Sequence, residues 1–162
     1  MVIDELEAFA QSVPRPGTLL GLDLGTKTIG VAVGDLTLSI ASPLTTVRRR
    51  KFGLDARLLL DMAEERKVQG IVFGLPRNMD GSEGPRCQST RAFARNLARL
   101  TDLPITFWDE RLSTVAAERA LLEADASRKR RREVIDHVAA GYILQGALER
   151  LARLAAETPG QP

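Results

Sequence analysis

Three acidic positions stand where acids are out of place. Asp23 lies within Leu19-Leu20-Gly21-Leu22-Asp23-Leu24-Gly25-Thr26, a run whose strand alternation sets Leu20, Leu22 and Leu24 on one face and Leu19, Gly21 and Asp23 on the other. A carboxylate in so apolar a strand needs a partner; it either caps the Gly25 turn or ligates a cation. The second position is the strand exit Trp108-Asp109-Glu110-Arg111. Adjacent strand residues face opposite ways, so Asp109 and Glu110 cannot both reach one site without a bulge, and the pattern does not choose between them. One of them could equally be a surface acid paired with Arg111. The third is Asp136, which shares a helical stripe with Ala140, Ile143, Ala147 and Leu151. Ala139 and Ala140 are small enough to let that helix approach a sheet closely, carrying Asp136 towards Asp23. Local pairing with Arg131 or Arg132 is the competing reading. His137, the next residue, projects elsewhere on the helix and is read as a bystander.

The chain has one histidine and one cysteine, Cys87. Oxygen donors from three separate segments therefore favour a hard cation, Mg2+ or Mn2+, and match zinc poorly. Two such ions about 4 Å apart can activate a water and stabilise the leaving oxygen at phosphorus, which is the chemistry of a metal-dependent nuclease.

The elements that must position these acids follow from punctuation and periodicity. Thr18–Leu24 reads as a buried strand, 25–28 as a turn, Ile29–Val33 as the return strand and Leu38–Val47 as a third, giving an antiparallel meander. Leu54, Leu58 and Met62 then recur at helical spacing, and Gly70–Gly74 is a strand ended by Leu75-Pro76. A polar loop over 77–85 leads to a helix marked by Phe93, Leu97 and Leu100, and a strand runs from Ile105 to about Glu110. A helix is expected from about Thr114 to Glu123, and a last one from about Glu133 to Leu154. Meander followed by β-α units implies an α/β fold with a five-stranded mixed sheet, antiparallel then parallel, flanked by helices. Pro14, Pro16 and Gly17 break a short opening helix, so residues 1–17 read as an arm, 18–154 as one domain and 155–162 as a flexible tail.

At 162 residues the chain is long enough for one core of ordinary size. Its 44% hydrophobic and 27% charged residues exclude a disordered chain, and no apolar run reaches membrane-spanning length. Asp4, Glu5 and Glu7 occupy the place where an export signal carries cations, and a single cysteine forms no internal disulfide, so a reducing cytoplasm is the expected setting. Net charge is only +2, yet cations bunch at Arg48-Arg49-Arg50-Lys51 and Arg128-Lys129-Arg130-Arg131-Arg132, two patches able to meet phosphate. One tryptophan, one tyrosine and five phenylalanines are too few for an extended base-stacking platform, which favours recognition by backbone shape.

The stretch from Asp23-Leu-Gly-Thr-Lys-Thr-Ile-Gly to Asp35 resembles the opening motif of the YqgF/RuvX family. Gly74-Leu-Pro-Arg-Asn-Met-Asp-Gly81, Asp109-Glu-Arg-Leu-Ser-Thr114 and Ile135-Asp-His-Val-Ala-Ala140 follow in the family's order, so the resemblance spans about Thr18 to Leu148. It implies an RNase H-like fold, similar to Holliday junction resolvases, and nuclease action on the 5′ end of precursor 16S rRNA in ribosome biogenesis. Cleavage of four-way DNA junctions is the alternative. By analogy the metal-binding and catalytic carboxylates are Asp23, Glu110 and Asp136, with Lys27, Asn78, Arg111, Ser113 and Thr114 on the substrate side. Arg128 and Arg130 are further candidate substrate contacts, since Thr28 stands where many relatives carry arginine. The partners expected are precursor rRNA, branched DNA in the alternative reading, and ribosomal particles; the chain acts as a monomer or a homodimer. An Asp-x-Gly-Thr opening also occurs in actin-like ATPases and sugar kinases, but those resemble two such domains around a cleft. A catalytically dead RNA-binding module is the remaining reading.

Overall fold

The computed structural model describes residues 1–14, 16–112 and 128–157, with the side chains of the last helix described from Ile135 onwards. Five strands form one sheet: β1 (Thr18–Leu24), β2 (Thr28–Asp35), β3 (Ile40–Arg48), β4 (Val68–Leu75) and β5 (Ile105–Asp109), in the order β3-β2-β1-β4-β5. The first three pair antiparallel, and β4 and β5 add on parallel to β1. Helices α1 (Leu6–Ser12), α2 (Phe52–Glu65), α3 (Pro85–Ala98) and α4 (Arg128–Ala156) flank it. The expected mixed α/β architecture is therefore the observed one. The helix expected over 114–123 lies outside the described residues.

Strand alternation divides the core into two layers. Leu20, Leu22, Leu24, Ile29, Val31, Ile71, Phe73 and Phe107 pack with α2 and α3. Leu19, Ala32, Val72 and Trp108 face α4, whose Ala139, Ala140, Ile143, Leu144, Ala147 and Leu148 lie against them. On this second side the strands carry glycine where α4 comes closest. An added Cβ at Gly21 would meet Leu144 Cβ at 2.7 Å, and one at Gly34 would meet Leu148 Cδ1 at 2.6 Å. The stripe Ala140, Ile143, Ala147, Leu151 is buried, as its spacing predicts.

Both helices marked by apolar spacing form, as α2 and α3, but not every marking residue lies on the buried face. Leu54 and Leu58 are exposed, and α2 instead buries Asp55, Ala56, Leu59 and Ala63. Both sets have a four-residue spacing, so periodicity could not separate them. Asp55 decides the rotation, because both its carboxylate oxygens turn inward to accept the Arg50 N–H at 3.0 and 3.2 Å. Leu100 lies beyond the end of α3 and is exposed.

The first residues are built into the molecule. Val2 bridges Ile105 in parallel, with Ile3 N–H donating to the Ile105 carbonyl at 2.7 Å and Ile105 N–H to the Met1 carbonyl at 2.9 Å. Phe9 of α1 is fully buried, and an added Cβ at Gly70 would stand 2.7 Å from its Cζ. The Pro14–Gly17 break thus redirects the chain from the α4 layer into β1. It does not end the packing. Among the described residues no helix is long and apolar enough to cross a membrane.

Candidate active site

Asp23 is the second-last residue of β1 and is 5% exposed. Its antiparallel partner is Gly30, and one step beyond the parallel Leu22–Phe73 pair it reaches the level of Gly74. Gly74 in turn pairs with Trp108. Asp23, Gly30, Gly74 and Trp108 thus form one row across the sheet on the side facing α4. The two glycines clear the space that other acids enter. An added Cβ at Gly30 would overlap the backbone of Asp136, and one at Gly74 would stand 3.3 Å from Glu110 Oε1. Asp23, Glu110 and Asp136 therefore come to one face and one end of the sheet.

Asp109 and Glu110 part company because β5 ends between them. Glu110 opens a 3-10 turn, Glu110–Leu112, so strand alternation no longer governs its direction. Asp109 turns to cations: Arg111 Nη2 at 2.7 Å and Arg77 Nη1 at 3.9 Å. The side-chain hydrogen bonds from Arg111 hold the Asp109 carboxyl below its ordinary range, against the opposing effect of burial. The ion pair with Arg111 that sequence allowed for either acid belongs to Asp109.

Asp136 is half-buried in α4, and the Thr28 hydroxyl at the start of β2 donates to its Oδ2. His137 Nδ1 meets Thr46 Oγ1 of β3 at 2.9 Å, so its ring lies over the sheet's outer strands. The turn after Asp23 is closed by Gly25 N–H to the Thr28 carbonyl at 2.8 Å. It is clamped by Arg49, the residue after β3, whose N–H donates to the Lys27 carbonyl at 2.9 Å and whose Nη1 donates to the Gly25 carbonyl at 2.7 Å. The same guanidinium lies 5.7 Å from the Phe93 ring centroid in α3. Sequence read Arg49 only as part of a phosphate-meeting patch and gave Gly30 no role of its own. The one available signal was the run of small residues Gly30, Ala32 and Gly34 at alternate β2 positions, facing the small residues of α4.

The substrate-side candidates divide. Lys27 is exposed at the tip of the β1–β2 turn. Asn78 closes a tight loop after β4: its N–H donates to the Ser82 carbonyl at 2.9 Å and its Nδ2 to Ser82 Oγ at 3.0 Å, around Gly81 at φ +89°. Asp80 accepts from Ser82 N and Oγ, and these bonds lower its pKa. Arg111 braces this loop through Nη1 to the Met79 carbonyl at 3.4 Å while pairing with Asp109, so its guanidinium is committed to structure. Arg128 and Arg130 lie in the first turn of α4, with side chains outside the described set. Ser113 and Thr114 lie outside the described residues.

The donor set is all oxygen and drawn from three segments, which suits Mg2+ or Mn2+. Among the described residues no three His, Cys, Asp or Glu side chains stand as a ready metal-holding group.

Comparison with known proteins agrees with this architecture. The RuvX family profile, described as Holliday junction resolvase, matches residues 17–150. A protein of Ruegeria pomeroyi named "Putative pre-16S rRNA nuclease" is 70% identical over 95% of this chain and 100% of its own length. One of the same name from Paracoccus denitrificans is 71% identical over 93% of this chain and 96% of its own. The structure of Thermus thermophilus RuvC in complex with a Holliday junction substrate shares the fold, with a TM-score of 0.51 at 12% identity, covering 83% of this chain and 94% of that one. A profile match over most of the sheet and α4, relatives at these identities and a RuvC-like, RNase H-type fold lead to one conclusion: the chain belongs to the RuvX family.

Proposed function

We propose that the protein is a two-metal-ion nuclease that hydrolyses phosphodiester bonds, and that its substrate is the 5′ region of precursor 16S rRNA. The observation that carries the reading is the shared face of Asp23, Glu110 and Asp136, with Gly30 and Gly74 clearing room between the strands and α4. The names carried by relatives about 70% identical supply the substrate class.

In this reading the carboxylates of Asp23, Glu110 and Asp136 hold Mg2+ or Mn2+. A divalent cation bound there lowers the pKa of water and offsets charge building on the phosphate. Asp23 supplies a rigid ligand from the sheet. Asp136 keeps one oxygen on the Thr28 hydroxyl and offers the other. Glu110 reaches the same face from its short turn, beside Gly74, and Lys27 meets a neighbouring phosphate. Water adds to phosphorus as the bond to the leaving oxygen breaks; the water gives up a proton to solvent and the leaving oxygen takes one from it. Phosphate contacts confer affinity without reading sequence, so selectivity comes from backbone shape.

The test is Asp23→Asn in purified protein, assayed with Mg2+ and with Mn2+ on a precursor 16S rRNA fragment. We expect cleavage to fall by more than the about ten- to a hundredfold that losing an outer-shell partner of a metal ligand costs, with the circular dichroism spectrum unchanged. Undiminished cutting by the variant refutes the assignment. Four-way DNA junctions run in parallel address the second reading, which the family description favours; preferential, symmetric cutting of the junction by a dimer would replace rRNA with branched DNA as substrate.

A further inference from the structure

The basic run Arg48-Arg49-Arg50-Lys51 reads from sequence as one phosphate-meeting patch. The structure divides it. Thr28 pairs with Arg48, Ile29 with Val47 and Gly30 with Thr46. Thr46 touches His137 of α4, and Thr28 bonds Asp136, so this alternate set lies on the acidic face. Val47 is buried in the opposite layer, with α2 and α3. Arg48, two residues beyond Thr46, therefore leaves β3 on the same side as Asp136 and directly across from Thr28, and it is exposed. Arg49 goes the other way, to the Gly25 carbonyl and the Phe93 ring. Arg50 and Lys51 are exposed again, and the backbone presenting them is pinned where Arg50 N–H donates to the Asp55 carboxylate.

We propose that Arg48, Arg50 and Lys51 bind successive backbone phosphates of a nucleic-acid strand leaving the acidic face along the β3 side. Arg49 is a positioning residue, and it does not touch the substrate. The proposal rests on the nuclease reading for its ligand class, a polyanionic strand. The chemistry is simple: exposed cations along the β3 edge, the first of them on the Asp136 side, hold a strand that the acids would otherwise repel. Arg49 locks the turn that joins Asp23 to Thr28, and through Thr28 it fixes Asp136.

The experiment measures binding without turnover. Fluorescence anisotropy of an RNA hairpin with a 5′ single-stranded tail, in EDTA across a salt series, gives the slope of log K against log salt. Each phosphate contact contributes about 0.7 to 0.9 to that slope. Neutralising all three cations (Arg48→Gln, Arg50→Gln, Lys51→Gln) is expected to flatten it by roughly 2, and Arg48→Gln alone by somewhat under 1. Charge-conserving Arg48→Lys with Arg50→Lys keeps the wild-type slope. Arg49→Gln keeps the slope and KM but lowers kcat, with Arg49→Lys restoring part of it. A wild-type slope in both the single Arg48→Gln protein and the triple variant overturns the phosphate track. A slope loss in Arg49→Gln equal to that of Arg48→Gln overturns the division between them. Asp23→Asn binds with the wild-type slope whether or not it cleaves, so failure of the nuclease reading shows in the cutting assay and failure of this one in the salt series.

Discussion

An added Cβ at Gly30 would stand 1.9 Å from the main-chain carbonyl oxygen of Asp136, so β2 and α4 meet backbone against backbone beside Asp23. The obstructing atom belongs to a helix, and no side-chain rotation relieves the clash. Gly30→Ala must lift α4 from the sheet, and we expect a cost of about 3 kcal/mol or more. A thermal or urea melt against wild type measures it. A change under about 0.5 kcal/mol would mean the helix sits further away than the structure has it.

The Thr28 hydroxyl orients one oxygen of Asp136. Groups that orient a metal-ligating carboxylate are worth about ten- to a hundredfold in metal affinity. Thr28→Val is expected to weaken Mn2+ binding, followed by calorimetry, about tenfold at nearly unchanged stability. Thr28→Ser, which keeps the hydroxyl, restores it. Equal losses in both variants would assign the effect to packing.

Phe9 fills space above Gly70 in the α4 layer and has no exposed surface. Phe9→Ala should destabilise the protein by about 3 to 5 kcal/mol, the usual range for a core phenylalanine. Chemical denaturation would show it as a lower midpoint at constant slope. A loss below about 1 kcal/mol would make α1 an appendage.

Asp109 offers a pH-dependent check. Its folded-state pKa is depressed, chiefly by the Arg111 side-chain hydrogen bonds, so it contributes stability above the unfolded value of about 3.9 and loses it as pH falls through the lower folded value. Arg111→Gln raises the Asp109 pKa, readable by carboxyl NMR titration. The variant's stability deficit should be greatest above about pH 4 and shrink in stronger acid. A deficit independent of pH would trace the effect to the lost Met79 contact.

Much of this was legible in the residues. Leu/Gly alternation ending in Asp23, glycines on β2 and small residues on α4 each reported on a buried face, and buried faces leave periodic signatures. The rotation of α2 did not show, because Asp55 as an inward acceptor for Arg50 N–H depends on a contact that periodicity does not encode. Nor could Asp109 be told from Glu110. Strand alternation predicts directions only while the strand lasts, and the 3-10 turn begins at the residue in question. The packing of Phe9 on Gly70 joins segments far apart in sequence, which local patterns cannot reveal.

The bridge between Val2 and Ile105 gives the sheet a guard on its outer margin. An uncovered last strand is a template on which another polypeptide can add itself, the usual first step of edge-to-edge aggregation. Because the covering residues precede every described strand while the one they cover is the last of these to be synthesised, the nascent sheet stays unguarded until Ile105 has emerged and residues 1–3 fold back beside it.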